Sequence, residues 1–207
     1  MKPVEAYGDL VQMGRAVLST REAAARWQTS SVTAGRRLRG MEEAGLVRHL
    51  RRGLWTLDPL IAPLAIPHFL TAPFPAYVSL WSALAHHGMI EQIPRQVSVA
   101  SLDRSRRIDT SIGTFSIHHL AGEVFGGFTG SERSGYLAVP EKAIFDTVYL
   151  RAAAGGKAFF PELSLPAGFD RETLGDWTRR IESSRLRTLV SRGVRDALRG
   201  ASDGEGS

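Results

Sequence analysis

The sequence predicts an α+β fold, on three observations. Three short helical segments and a basic hairpin fill the first 57 residues. From residue 76 the pattern changes to alternating strand-like runs interleaved with helical ones. The chain of 207 residues is 43% hydrophobic and 23% charged, which suffices for one or two packed cores and argues against disorder or a fibrous repeat.

In chain order, residues 4–17 carry an incomplete apolar stripe (Val4, Leu10, Val11, Ala16, Val17) weakened by Gly8 and Gly14. Residues 17–19 read as a short extended piece. Thr20 then caps a helix over residues 21–27, rich in alanine and therefore able to let a neighbour approach closely. Gln28 and Thr29 break it. Ser30 or Ser31 caps the next helix, which runs to about Ala44. At 100° per residue, Ala34, Leu38 and Met41 share one face. Thr33, Gly35, Arg36 and Arg39 lie on the other, with Arg37 at the flank. Gly45 ends the helix as its C′ residue. Residues 46–50 and 54–57 read as strands joined by the turn Arg51-Arg52-Gly53. Three helices followed by a basic hairpin predict a winged helix-turn-helix over residues 1–58. Such a fold lays its third helix in the major groove of duplex DNA, where base edges are distinguishable. The expected groove-facing residues are Ser30, Ser31, Thr33, Arg36, Arg37 and Arg39, with Arg51 and Arg52 on the flanking phosphates. Glu42 and Glu43 would repel phosphate, so the N-terminal half of the helix should meet the DNA.

Asp58-Pro59 opens a proline-punctuated connector over residues 59–75. Residues 76–199 are expected to form a mixed domain, a small sheet flanked by helices. Within it, residues 77–87 read as a helix, 96–100 and 113–120 as strands, and 136–139 as a third strand. Residues 101–107 read as a basic loop. Pro140 starts a helix through Leu150, favourable at N1 with Glu141 beside it. Residues 170–199 read as helical, interrupted at Gly175 and near Ser183-Ser184 or Gly193. Residues 200–207 are expected to be a disordered polar tail.

Charge is unevenly placed. The net charge is +5, and residues 1–60 hold ten basic and six acidic side chains against sixteen and fifteen in the remainder. A local basic block favours a polyanion. Arginine supplies 23 of the 26 cations, so genome composition contributes to the basic balance. Cysteine is absent, which excludes a disulfide scaffold, a thiolate metal site and cysteine catalysis. The start of the chain has no apolar h-region, and prolines break the richest apolar window, so a cytoplasmic protein without a membrane span is expected.

Two strings in the second half resemble a known family. Residues 77–94 read Tyr-Val-Ser-Leu-Trp-Ser-Ala-Leu-Ala-His-His-Gly-Met-Ile-Glu-Gln-Ile-Pro, and residues 138–146 read Ala-Val-Pro-Glu-Lys-Ala-Ile-Phe-Asp. Both resemble signatures of the AbiEi-type antitoxins and transcriptional regulators of type IV toxin–antitoxin systems, which place a winged helix before them. The resemblance covers about residues 10–150. It implies a bipartite antitoxin that represses its own operon at operator DNA and counteracts a nucleotidyltransferase-type toxin, without a stable complex in the usual description. Members without such a partner act as regulators only.

Three functional classes follow: this repressor–antitoxin, a one-component regulator whose second domain binds a small ligand, and a nuclease or metal hydrolase. An apolar pocket behind Trp81 and Phe115 would favour the second. For the third, adjacent histidines (His86-His87, His118-His119) diverge on a helix or strand, so at most one of each pair reaches a shared ion. Glu141, Lys142 and Asp146 diverge too poorly for a carboxylate–lysine site. Lys142 and Asp146, at i and i+4, are expected as a surface or interface ion pair worth a few tenths of a kcal/mol. No phosphate-binding glycine loop is visible. No catalytic residue, metal or cofactor is expected. Arg104, Arg106 and Arg107 read either as an extension of the basic surface or as a solvated loop, the solvated loop being favoured.

Overall fold

In a computed structural model describing residues 3–203, the chain is α+β, with eight α-helices and sheets of three and six strands among those residues. No helix among them is long and apolar enough to cross a membrane.

The first part comprises α1 (Pro3–Val11), β1 (Val17–Ser19), α2 (Thr20–Arg26), α3 (Ser31–Glu43), β2 (Arg48–Arg51) and β3 (Leu54–Thr56). Strand β3 lies between β1 and β2, antiparallel to both. Leu10, Leu18, Ala23, Ala34, Leu38 and Met41 form one buried cluster beneath Trp55. Helix α1 ends at Val11, six residues short of the expected limit, because the chain turns through Gly14 before entering β1. The cap of α2 is Ser19 rather than Thr20. Glu22 sits at N3, so the Ser19 hydroxyl accepts from Glu22 N (3.2 Å) while the Glu22 carboxylate accepts from Ser19 N (2.6 Å). Thr20 is thereby free to accept from Trp55 Nε1 at 2.9 Å. Helix α3 runs as its seam requires, and Gly45 after it takes φ +71°.

Residues 59–75 are more than a connector. They hold a 3₁₀ turn (Pro63–Ala65) and α4 (Pro67–Thr71), and they bury Ile61, Ile66 and Leu70. Pro63 and Pro67 each occupy the first turn of a helix, where the missing N–H costs nothing.

The second part contains β4 (Ala76–Val78), α5 (Leu80–His86), β5 (Val97–Ser101), β6 (Arg106–Thr110), β7 (Gly113–His119), β8 (Phe128–Ser131), β9 (Gly135–Ala138), α6 (Pro140–Ala153), β10 (Ser164–Leu165), α7 (Arg171–Arg179), α8 (Ser184–Arg199) and β11 (Ser202–Asp203). The larger sheet has the order β6-β7-β5-β4-β9-β8 and is mixed. Its β4–β9 and β5–β7 pairs are parallel, and the other three are antiparallel. The expected helix over 77–87 begins only at Leu80. Ala76, Tyr77 and Val78 are all buried as a central strand, and a short run buried on both faces carries no periodic signal to separate strand from helix. Part of the expected loop at 101–107 is drawn into β6 by its hairpin with β7. Gly175 and Gly193 lie inside helices, and the break falls at residues 180–183. The polar tail expected from Gly200 is structured to Asp203, where β11 pairs in parallel with β10. Its last four residues lie outside the described ones.

The two faces of this sheet are covered differently. Tyr77 and Ala100 pack with α5, α6, α7 and α8. The alternate residues Ala76 and Val99, with Phe115 and Ile117, pack under α4 and against Val17 and Leu50 of the first part. One apolar core therefore bridges the two parts. Polar contacts reinforce the junction: Ser111 N donates to Leu50 O (2.9 Å), Ser111 Oγ to His49 O (2.6 Å), and Arg48 Nη2 to Ser111 O (2.8 Å).

Candidate nucleic-acid interface

Helix α3 packs by its small apolar seam and leaves the opposite face open. Ala34, Leu38 and Met41 are at most 1% exposed, whereas Ser30, Ser31, Arg36 and Arg39 are exposed. The open face forms one wall of a cleft of about 1180 Å³. Ser31, Arg36 and Arg39 line that wall, Arg21 enters from the first turn of α2, and Arg52 enters from the β2–β3 turn. Four arginines thus face a single carboxylate, Glu42, whose Oε1 is already held by His49 N at 2.9 Å. Glu43 is exposed outside this lining.

The remaining expected residues are placed apart from that wall. Ser30 Oγ accepts from Thr33 N (3.2 Å) and lies 3.0 Å from Thr33 Oγ1, so Ser30 caps the helix and engages the Thr33 hydroxyl. Arg37 is half-buried with its guanidinium 5.7 Å from the Trp27 ring centroid, a cation–π contact that ties α3 to α2. Arg51 is half-buried at the end of β2 and lines a separate cleft with Arg52. Arg21 is not among the groove-facing residues the sequence predicts. Its signal is weak but physical: an arginine just inside the capped start of α2 projects where that helix meets α3.

The other clusters weighed from sequence are occupied singly. His87 Nε2 lies 2.7 Å from Ala138 O, His118 Nε2 3.1 Å from Ser116 Oγ, and His119 Nδ1 3.3 Å from Asp103 O. Burial lowers the pKa of His118. Among the described residues no three histidine or carboxylate side chains gather in a metal-holding group. Trp81 borders a shallow depression with Gln92, Pro94 and Gln96, while Phe115 is fully buried on the other side of the sheet.

The Lys142–Asp146 pair corrects the expectation of a surface or interface ion pair: both side chains lie in the interior of the chain itself, with no exposed area. Lys142 Nζ donates to Asp146 Oδ1, and Asp146 Oδ2 accepts from Ser79 Oγ (2.7 Å) and Tyr77 OH (3.0 Å). The ammonium lies 4.7 Å from the Trp177 ring centroid and 4.9 Å from that of Phe145. Burial pushes the Lys142 pKa down and that of Asp146 up, and each charge pulls the other back. Tyr77 is raised far above the ordinary phenol range by burial and by the neighbouring carboxylate. A Cβ on Gly127, at φ +70°, would stand 2.7 Å from the Trp177 ring and 3.0 Å from the lysine stem, so only glycine closes this cage. Glu141 points elsewhere and accepts from Asp170 N at 2.8 Å.

No protein-family model matches the chain, and no curated protein sequence matches it.

Proposed function

We propose that residues 3–58 form a winged helix-turn-helix, with α3 as recognition helix and the β2–β3 turn as wing. The chain is then a sequence-specific DNA-binding repressor. One observation carries this reading: the unpacked face of α3 presents Ser31, Arg36 and Arg39 to an open cleft that Arg21 and Arg52 make strongly cationic. Arginine forks match guanine O6 and N7 in the major groove, and backbone phosphates gain from the surrounding charge.

The test is a fluorescence-anisotropy titration of duplex DNA from immediately upstream of the protein's own gene against a shuffled duplex of equal length. Tighter binding of the native duplex, weakening as salt rises, supports the reading. Equal affinity for both removes sequence specificity. In the same assay Arg51→Ala is expected to weaken binding to every sequence and to flatten the salt slope by about one unit.

The antitoxin role rests on the two AbiEi-like strings of the second half. Co-expression with a nucleotidyltransferase encoded beside the gene would test it. Restored growth supports antitoxin activity, and unrelieved toxicity rejects it.

A second reading, a one-component regulator that senses a small molecule, is favoured by a different observation. A cavity of about 410 Å³ is lined by His68, Pro73, Phe74, Phe128 and Tyr136. Both ring nitrogens of His68 are buried there without a hydrogen-bond partner, and burial lowers the pKa of the ring. The size and aromatic walls suit a small planar ligand with one polar group. Calorimetric titration with one- and two-ring aromatic compounds checks this. Heat that is lost in Phe128→Ala supports it, and the absence of heat from every compound rejects it.

A further inference from the structure

We infer that Arg104 of the β5–β6 loop and Arg106 at the start of β6 form a second phosphate-binding surface, which carries duplex DNA past the β2–β3 turn and onto the second half of the chain. The inference rests on the proposed DNA-binding role and extends its footprint.

Two clefts flank the β2–β3 turn. The first is the α3 cleft, and the second, of about 510 Å³, lies on the other side. Arg52 and Gly53 line both, so the two clefts adjoin at the turn. In the second cleft Arg51 and Arg52 face Arg104 of the β5–β6 loop and Arg106 of β6, with Asp103 as its single carboxylate. Asp103 is engaged by the Arg106 guanidinium and accepts from Arg104 N at 2.8 Å. Arg106 is also held to Leu70 O at 3.3 Å, so it is pre-positioned. The Arg104 side chain is exposed and stands at the rim. Arg107, the third arginine of this region, is paired with Asp109 at 3.2 Å on the surface.

The two walls hold a fixed separation because the Ser111 bridge ties β2 to the β6–β7 hairpin and the apolar core continues beneath them. A duplex presents about one phosphate charge per 1.7 Å of its axis, so a rigid cationic track gains contacts as the duplex lengthens. A helix-turn-helix contact alone occupies roughly one helical turn. The second cleft is therefore filled only when the DNA runs beyond that turn.

Anisotropy titrations with two mixed-sequence duplexes, of about 12 and about 30 base pairs, read the difference at several salt concentrations. Arg104→Ala is expected to weaken the longer duplex by roughly 3- to 10-fold and to lower its salt slope by about 0.9, with the shorter duplex unchanged. Arg104→Glu should enlarge the same length-dependent loss. Arg36→Ala weakens both lengths. If the Arg104 variants match the wild type on both lengths, or weaken both equally, while Arg36→Ala weakens both, the second surface is refuted and the DNA-binding role stands. If the wild type binds neither duplex, the DNA-binding role falls and the second surface with it.

Discussion

Replacing Lys142 with methionine is expected to lower the unfolding free energy by about 3–5 kcal/mol. The cost is not the loss of an attractive pair. Methionine fills much of the same space against Trp177 and Phe145, so packing is largely kept. What remains is a carboxylate, Asp146, with no exposed area and only two neutral hydroxyl donors, Tyr77 and Ser79. A charge left alone in the interior either bears the full desolvation penalty or takes up a proton. Adding Asp146→Asn removes the stranded charge and keeps an acceptor for both hydroxyls. The double variant is therefore expected to be more stable than Lys142→Met alone. Urea unfolding followed by tryptophan fluorescence measures both. A loss below about 1 kcal/mol in the single variant would mean the pair is no more than the surface bridge its spacing suggests.

Arg36→Ala is expected to cost about 1–3 kcal/mol of DNA affinity, or roughly 5- to 150-fold, and to relax preference at one base position. Arg36 is exposed on the cleft wall and carries no intramolecular role that its removal would disturb in the packed seam of Ala34, Leu38 and Met41. Arg37 is the internal contrast. Its stacking on Trp27 predicts that Arg37→Ala acts mainly on stability. Titration of both variants against the upstream duplex and single-base substitutions of it separates the two roles. Unaltered affinity and base preference in Arg36→Ala would remove this residue from the reading face.

The first part of the fold was legible because its signals are local. Ser30, the 3–4 spacing of Ala34, Leu38 and Met41, and Gly45 each fix one feature of α3 without reference to the remainder of the chain. Residues 59–75 were opaque because their prolines read as breaks, whereas Pro63 and Pro67 open short helices and Pro73 and Pro75 line the cavity beside His68. The environment of Lys142 was illegible for another reason. Every residue from Glu141 to Tyr149 is buried, so α6 has no solvent-facing stripe to reveal its orientation. The i, i+4 spacing states that two side chains meet, never whether water reaches them. At the candidate interface, sequence identified the wall that α3 supplies. Arg104 could be read from sequence either as part of a basic surface or as a solvated loop, and its place beside Arg51 and Arg52, like that of Arg21 beside α3, depends on the packing of separate elements.

The junction at Ser111 has a bearing on how this chain can be taken apart. A segment cut after Asp58 would carry Val17 and Leu50, now 1% and 2% exposed, onto bare solvent and lose the covering they share with Ile108 and Phe115. The amino-terminal third is accordingly no portable cassette. Fusing it to an unrelated partner would transplant a sticky, half-finished body, and evolution could exchange it only together with the sheet that closes it.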